Sequence, residues 1–544
     1  MNQPKVDKAI FGLALAVILA FAIPLVIWPT EGKAALNTAL AWTTKTIGWS
    51  FLWLTIGAFG VLIFFAFGRY GKVRFGGAGA TPEFSMASWI AMLFCAGIGS
   101  GVMYWGTIEW AYYYTSPPFG MEAGSKDAIE WAATYGLFHW GFTAWAVYCI
   151  PTLPLAYMYW NRKKSVLRLS GACEGVIGTR AANGPLGKLI DILFMFGLIG
   201  GVSTTIGLGT PMLSAGIAEL FGIERSLTLD FIVIAIWGLI FGFSVYSGLS
   251  KGIKVLSDIN LWLIGILLGC VFVFGPTVFQ LDVLTNSLGL LLQNFLKMSF
   301  YLDPVTKAEN IFAATAEGKS YVSAGGTFPE WWTIFYWAWW VAYAPFMGLF
   351  VARISRGRTI RQLIGAELVG GSIGCWVFFG LLGNSALFFQ MEGLLDLTGM
   401  VADGKTPEAI IATVKAVGDR MLPLGTALVV VFVALAFIFG ATTMDSSAYT
   451  LASVAEQDTG QAHEPSRWHR AFWAIVLSFV ALALLYSGGS DALSALQAAS
   501  VVVAVPLMPV LFIMVWSLIR WLREDHPELE PGYEEHDVFT PKNT

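Results

Sequence analysis

Apolar runs of 18 or more residues, separated by short polar breaks, recur along the whole chain. A bilayer core takes about 20 helical residues at ~1.5 Å each, so every such run is a predicted membrane span. About twelve are predicted, near residues 9–28, 48–70, 86–114, 129–159, 186–220, 229–248, 255–277, 328–352, 360–389, 421–453, 471–488 and 494–520. Composition strengthens the reading. Of 544 residues, 56% are hydrophobic and only 12% are charged, against about 25% charged in a soluble domain. The fold class is an all-α integral membrane protein. A soluble enzyme, a nucleic-acid-binding protein and a disordered hub are excluded. The first run follows Lys5 and Lys8 without a small-residue cleavage site and reads as a retained targeting helix. Five cysteines show neither disulfide nor metal-ligand spacing.

The net charge of −4 says little, whereas its distribution sets orientation. The 160–188 loop carries Arg162, Lys163, Lys164, Arg168, Arg180 and Lys188 against Glu174, and the next basic cluster is Arg353, Arg356, Arg358 and Arg361. Alternate loops carry Asp396, Asp403 and Glu408. The positive-inside rule then places both termini in the cytoplasm of a multi-pass plasma-membrane protein, with a bacterial inner membrane as the expected compartment. The arginine cluster serves orientation or lipid contact. Residues 284–301 read as an amphipathic helix at the outer interface, and the acidic tail from Arg523 to Thr544 as largely unstructured.

Two spans contain residues that a membrane helix does not ordinarily carry. The third holds Gly97, Gly99 and Gly101 at alternate positions, beside Cys95, Ile98 and Ser100. Glycines there mark either an unwound helix lining a ligand site or close packing of small residues. The tenth holds Phe439, Thr442, Thr443, Asp445, Ser446 and Ser447. Its hydroxyls are hard ligands for a small cation, or they bond back to their own helix.

Aromatic residues crowd two spans. Along one helix, Trp140, Tyr148 and Trp145 fall at about 0°, 80° and 140°, on one broad face. In the eighth span Trp332, Trp339 and Tyr343 lie within ~40° of one another, with Trp340 beside them. Trp at mid-span is unusual, since belt tryptophans sit at the interfaces. The alternatives are helix packing and an aromatic cage for a quaternary ammonium group. Neither span supplies an Asp or Glu beside its rings, which suits a cation that cannot donate hydrogen bonds.

The segment FYWAWWVAYAPFMGLFVARISRGRT at 335–359 resembles the signature of the betaine/choline/carnitine transporter family, and the likeness covers nearly the whole chain. The resemblance implies a LeuT-type fold of two inverted five-helix repeats behind two extra helices. The division would be 1–85, 86–278 for the first repeat, an outer loop at 279–327, 328–522 for the second repeat, and a 523–544 tail. By the same resemblance the substrate box is Trp140, Trp145, Tyr148 and Trp340, adjoined by Trp339 and Tyr343, with Trp332 as an outer aromatic on the access route. One sodium site uses the Cys95, Ile98 and Phe439 carbonyls with the Thr442 and Thr443 hydroxyls. A second matches Thr205, Thr204 and Phe346, although Gly201 and Gly209 stand where a partner hydroxyl for Thr205 is expected. A homotrimer is also implied.

Departures from the family pattern bear on mechanism. Sodium-independent exchangers carry an arginine where this chain has Asn260, yet Met347 matches a methionine seen in those exchangers. Gly101 replaces the aspartate of choline-selective members and favours a zwitterion. The expected activity is Na+ symport of glycine betaine, carnitine, γ-butyrobetaine or dimethylsulfoniopropionate, with sodium as coupling ion and no other cofactor. The alternative is a sodium-independent exchanger. An embedded enzyme is disfavoured because His139, Glu109, Asp258 and Asp445 show no nucleophile–base spacing. A channel is disfavoured because a ring-lined pocket suits tight binding.

Overall fold

The computed structural model describes residues 5–164, 167–247, 249–457, 465–488 and 492–531, with the side chains of Cys95, 241–258 and 492–494 outside the description. Among the described residues the regular structure is helical, and β pairing is confined to isolated bridges such as Val6–Glu456 and Arg74–Thr359. Among the described residues eight helices are long and apolar enough to cross a bilayer, or ten if each of two sharply bent pairs makes one crossing, against the twelve expected.

Helix α1 (Lys8–Ile27) starts at Asp7, whose carboxylate accepts the Ala9 and Ile10 amides. Helix α2 follows at once as Pro29–Phe67, not the expected 48–70. Its 39 residues span ~58 Å and must overrun the hydrocarbon layer. The third span is two helices, α3 (Met86–Ile98) and α4 (Gly101–Thr115), bent by 63°. The fourth divides as well, into α5 (Lys126–His139) and α6 (Phe142–Trp160), so Trp140 stands outside the helix that carries Trp145 and Tyr148. The single face drawn through all three rings is therefore corrected: Trp140 ends α5, and Gly141 at φ −103°, ψ −150° redirects the chain.

Helices α7 (Pro185–Phe221), α8 (Leu227–Ser247) and α9 (Leu249–Phe274) follow. At Gly275-Pro276 the chain turns by 105° into α10 (Thr277–Phe300). A Cβ on Gly275 would lie 2.2 Å from the Val271 carbonyl oxygen, so only glycine permits this corner. Helix α10 buries Gln280 and Ser287 and exposes Leu292 and Leu296, the arrangement of a helix whose outer side meets lipid. Short α11 (Pro304–Ala316) leads to α12 (Pro329–Ile354), which begins with a π-helical turn. Next come α13 (Ile360–Met391), interrupted by π-helical turns at Ala366–Gly371 and Phe379–Gly383, α14 (Thr406–Asp419) and α15 (Gly425–Val454). The described chain ends with α16 (Arg467–Gly488), α17 (Ala492–Ala504) and α18 (Met508–Asp525).

Burial locates the centre. The apolar window of α12 is 94% buried, whereas that of α1 is 28% buried. The long polar-poor face of α1 is thus peripheral, and α12 is surrounded by protein, packed most extensively on α6.

The basic loop at 353–361 has local partners. Arg358 donates to the Phe84 carbonyl at 2.6 Å and stacks on Trp89, Arg356 faces Glu83, and Arg361 bonds the Ala66 carbonyl at the end of α2. These contacts staple the start of α13 to α2 and α3. The tail also begins in order. Arg162 pairs with Glu524 at 2.6 Å and Asp525 at 2.7 Å, and Glu530 accepts from Arg69 at 2.9 Å and from Tyr70. The expectation of an unstructured tail is corrected for residues 523–531, and 532–544 lie outside the described residues.

Candidate functional site

Each glycine of the third span has its own reason. Gly99 has φ +52° and ψ −154°, a conformation closed to residues with a Cβ, and it separates α3 from α4. A Cβ on Gly97 would meet Met347 Cε at 2.9 Å and Trp145 Cη2 at 3.2 Å. One on Gly101 would meet Trp339 at 3.3 Å and Trp140 at 3.5 Å. The unwound-helix and close-packing readings are both present: the break needs Gly99, and the rings need Gly97 and Gly101 small.

Breaking the helix leaves its end groups without intrahelical partners. The last carbonyls of α3, those of Cys95 to Ile98, point from a helix C-terminus that favours a cation. The first amides of α4 point from an N-terminus that favours an anion. The end of α3 meets a small cavity lined by residues 96–99, Trp140, Tyr148, Trp340 and Thr443, and the start of α4 lies against two of its rings at Gly101, beside Trp339 and Trp140.

The rings converge there. The Trp340 ring centroid lies 4.3 Å from Tyr148, 5.5 Å from Trp140 and 5.9 Å from Trp145. Trp339 adjoins at 6.0 Å from Trp140, edge to face, and its Nε1 donates to the Gly201 carbonyl. Tyr343 completes the lining, its hydroxyl 3.0 Å from Thr205 Oγ1. Trp145 lies flat on Gly371, where a Cβ would come within 2.2 Å of the indole, and stacks with Phe94 at 6.4 Å. Trp332 belongs to a separate cluster with Trp105, Tyr112 and Tyr113 at 5.0–5.7 Å.

Of the expected cation ligands, Thr443 reaches the break: its Oγ1 would be 3.0 Å from a Cβ on Gly99. Thr442 Oγ1 donates instead to the Ile438 and Phe439 carbonyls, both at 3.0 Å, the back-bonded arrangement left open by the sequence. Phe439 and Ile98 are buried, and of Cys95 only the backbone is described. Thr204 and Thr205 diverge. Thr204 Oγ1 contacts Ser500 Oγ at 2.9 Å and faces α17, whereas Thr205 faces Tyr343. Phe346 packs against Tyr343 at 5.9 Å, and Met347 reaches Gly97. Asn260 on α9 is buried, and its Oδ1 has no hydrogen-bond partner among the described residues. Asp258 has its side chain outside them.

Sequence reasoning missed a carboxylate. Glu109 of α4 is fully buried and accepts from Trp140 Nε1 at 3.0 Å, so the picture of a cage with no acid near it is corrected. The acid comes from a third helix and touches the outer edge of a ring, which spacing within the ring-bearing spans does not reveal. The i, i+4 pair Glu109–Tyr113 was the available signal.

Comparison with known proteins agrees with this architecture. Residues 9–527 match the model of the BCCT family, described as betaine/carnitine/choline family transporter. The chain is 33% identical over 479 residues to an uncharacterized transporter, YeaV, of Escherichia coli (strain K12), covering 88% of this chain and 94% of that protein. Its helices, its buried aromatic cavity and this match over nearly its whole length lead to one conclusion: the chain belongs to the betaine/carnitine/choline transporter family and is a membrane transporter, not an enzyme.

Proposed function

We propose that the protein imports a small quaternary-ammonium or sulfonium zwitterion, in the class of glycine betaine, carnitine, γ-butyrobetaine and dimethylsulfoniopropionate, by Na+ symport. One observation carries the reading: the rings of Trp140, Tyr148, Trp339, Trp340 and Tyr343 line one cavity together with residues 96–99 at the break of the third span, with Trp145 packed against Trp340 at 5.9 Å. Onium methyl groups pack on ring faces. The amide end of α4 accommodates the carboxylate, and no Asp stands at Gly101 to repel it.

Sodium would sit between the carbonyl end of α3 and Thr443. A single sodium is favoured, because Thr204 faces away and Thr205 is engaged with Tyr343. Asn260 supports symport over exchange, since it offers no fixed positive charge in place of the ion. The transport cycle alternates access to the cavity from the two sides of the membrane. A homotrimer in a bacterial inner membrane, with both termini cytoplasmic, belongs to the same reading.

The test is uptake into liposomes by purified protein, with Na+ replaced by K+ and with a panel of betaines as competitors. Sodium-dependent uptake inhibited by one betaine supports the reading. Equal uptake in K+ replaces symport by exchange, and indifference to every onium compound removes the substrate class. The mass of the detergent-solubilised protein checks the trimer.

A further inference from the structure

Behind the substrate box lies a buried chain of hydrogen bonds that the transport reading leaves unused. Glu109 Oε1 accepts from the Tyr113 hydroxyl at 2.6 Å, while Oε2 accepts from Trp140 Nε1 at 3.0 Å and from the Tyr336 hydroxyl. His139 Nδ1 lies 2.9 Å from the Tyr113 hydroxyl and 3.6 Å from Glu109 Oε1. Its Nε2 lies 3.1 Å from Thr333 Oγ1. Glu109 and His139 are both fully buried.

The donors fix the direction of the chain. Three N–H or O–H groups point at Glu109, which is the environment of an ionised, acceptor-only carboxylate. Tyr113 gives its hydrogen to that carboxylate, so its oxygen accepts from His139 Nδ1–H. His139 Nε2 then accepts from Thr333 when the imidazole is neutral and donates to it when protonated. A single added proton is thereby stored without moving a heavy atom.

The surroundings make this charge state consequential. Helix α4 contributes Glu109 and Tyr113, α5 contributes His139 and Tyr135, and α12 contributes Tyr336 and Thr333. Tyr104 of α4 lies near Tyr336. Among the described residues no lysine or arginine pairs with Glu109 or His139, and the sole ionic partner of each is the other. With His139 neutral the cluster holds one uncompensated negative charge inside the membrane, an arrangement that is costly and marks function. That charge touches the box through Trp140, whose N–H donates to it while its ring forms a wall of the cavity.

We propose that Glu109, Tyr113 and His139 form a proton-binding site wired to the substrate box through Trp140, so that a proton and the onium group compete. The proposal rests on the box being the substrate site. Donation to an anionic acceptor enriches the Trp140 indole in electron density, and the negative charge attracts the onium directly. A proton taken from solution forms one N–H bond at His139 or one O–H bond at Glu109 and cancels the charge. Onium binding drives that proton back to solution, with no other bond made or broken.

The test is calorimetric titration of the purified, detergent-solubilised parent with glycine betaine and with tetramethylammonium, which has no titrating group. Runs at each pH use two buffers of different ionisation heat. The expected result is a Kd that rises about fivefold or more from ~pH 8 to ~pH 5, with proton release on binding in the same interval. Glu109→Gln keeps the shape and removes the charge, and is expected to bind weakly, without pH dependence or proton release. A pH-independent Kd and no proton release in the parent overturn the proton site and leave the box intact. Absence of binding of both probes at every pH overturns the box reading itself. If Glu109→Gln fails to fold, His139→Gln and the parent's proton count decide.

Discussion

Replacing Trp340 by alanine removes the ring that touches the three other walls of the box. Trp340 lies 4.3 Å from Tyr148, 5.5 Å from Trp140 and 5.9 Å from Trp145, so every wall loses a neighbour at once. A cation–π contact contributes ~0.5–2 kcal/mol, depending on how dry the site is. At about 1.4 kcal/mol per decade, the apparent KM for a betaine should rise by roughly twofold to thirtyfold. The side chain is 3% exposed, which places the effect in the upper part of that range. Truncating a buried tryptophan also costs ~3–5 kcal/mol of stability, so protein level must be measured beside uptake. Trp340→Phe separates the two effects, since it keeps a ring face and should recover part of the affinity. Initial rates of radiolabelled betaine uptake into liposomes, normalised to folded protein, provide the assay. A KM unchanged in both Trp340→Ala and Trp140→Ala would refute the cage.

Gly99→Ala forces a side chain into φ +52° and against Thr443, at a cost of ~1–3 kcal/mol; uptake should be lost with the protein still inserted, and normal uptake would mean that the break closes without penalty. Thr443→Ala should raise the sodium concentration for half-maximal uptake more than Thr442→Ala, because only Thr443 faces the break. Equal shifts in the two sodium titrations would contradict that ordering. Asn260→Arg should weaken sodium dependence by supplying a fixed charge at a buried position whose Oδ1 has no hydrogen-bond partner among the described residues, and a transporting variant with the parent's sodium half-saturation would sink the idea. Arg162→Ala should loosen the start of the tail, with faster limited proteolysis after Leu522; since the pairs are partly exposed, the loss of global stability should stay within ~1 kcal/mol.

The third span and the rings were legible because their signals are local. Three alternate glycines in an apolar run announce a broken helix, and Trp339, Trp340 and Tyr343 announce themselves by type and spacing. The break at Trp140-Gly141 was hidden, since one glycine in a helical pattern is ordinary and periodicity continues across it. Glu109 was hidden for a different reason: its partners Trp140 and Tyr336 lie 31 and 227 residues away, and only the packing brings them together. The π-helical turns of α13, which set Gly371 under Trp145 and Phe379 beside Trp140, leave no mark in hydropathy. Thr442 shows the limit of residue type as evidence. Two adjacent threonines look equivalent in sequence, and a rotation of about 100° along the helix gives one to the cavity and the other to its own backbone.

The contact between Gly99 and Thr443 has a mechanical side. Most of the box is built from α6 and α12, which share the broadest packing among the described residues. The junction at Gly99 instead joins α3 to α15, which touch little elsewhere. A seam so lightly fastened is where a small occupant has the greatest leverage. Whatever fills it shifts the balance between open and shut by its whole differential affinity for the two. On the proposed transport reading, the tight, ring-lined part of the cavity would supply selectivity and the loosely fastened part would work as the latch.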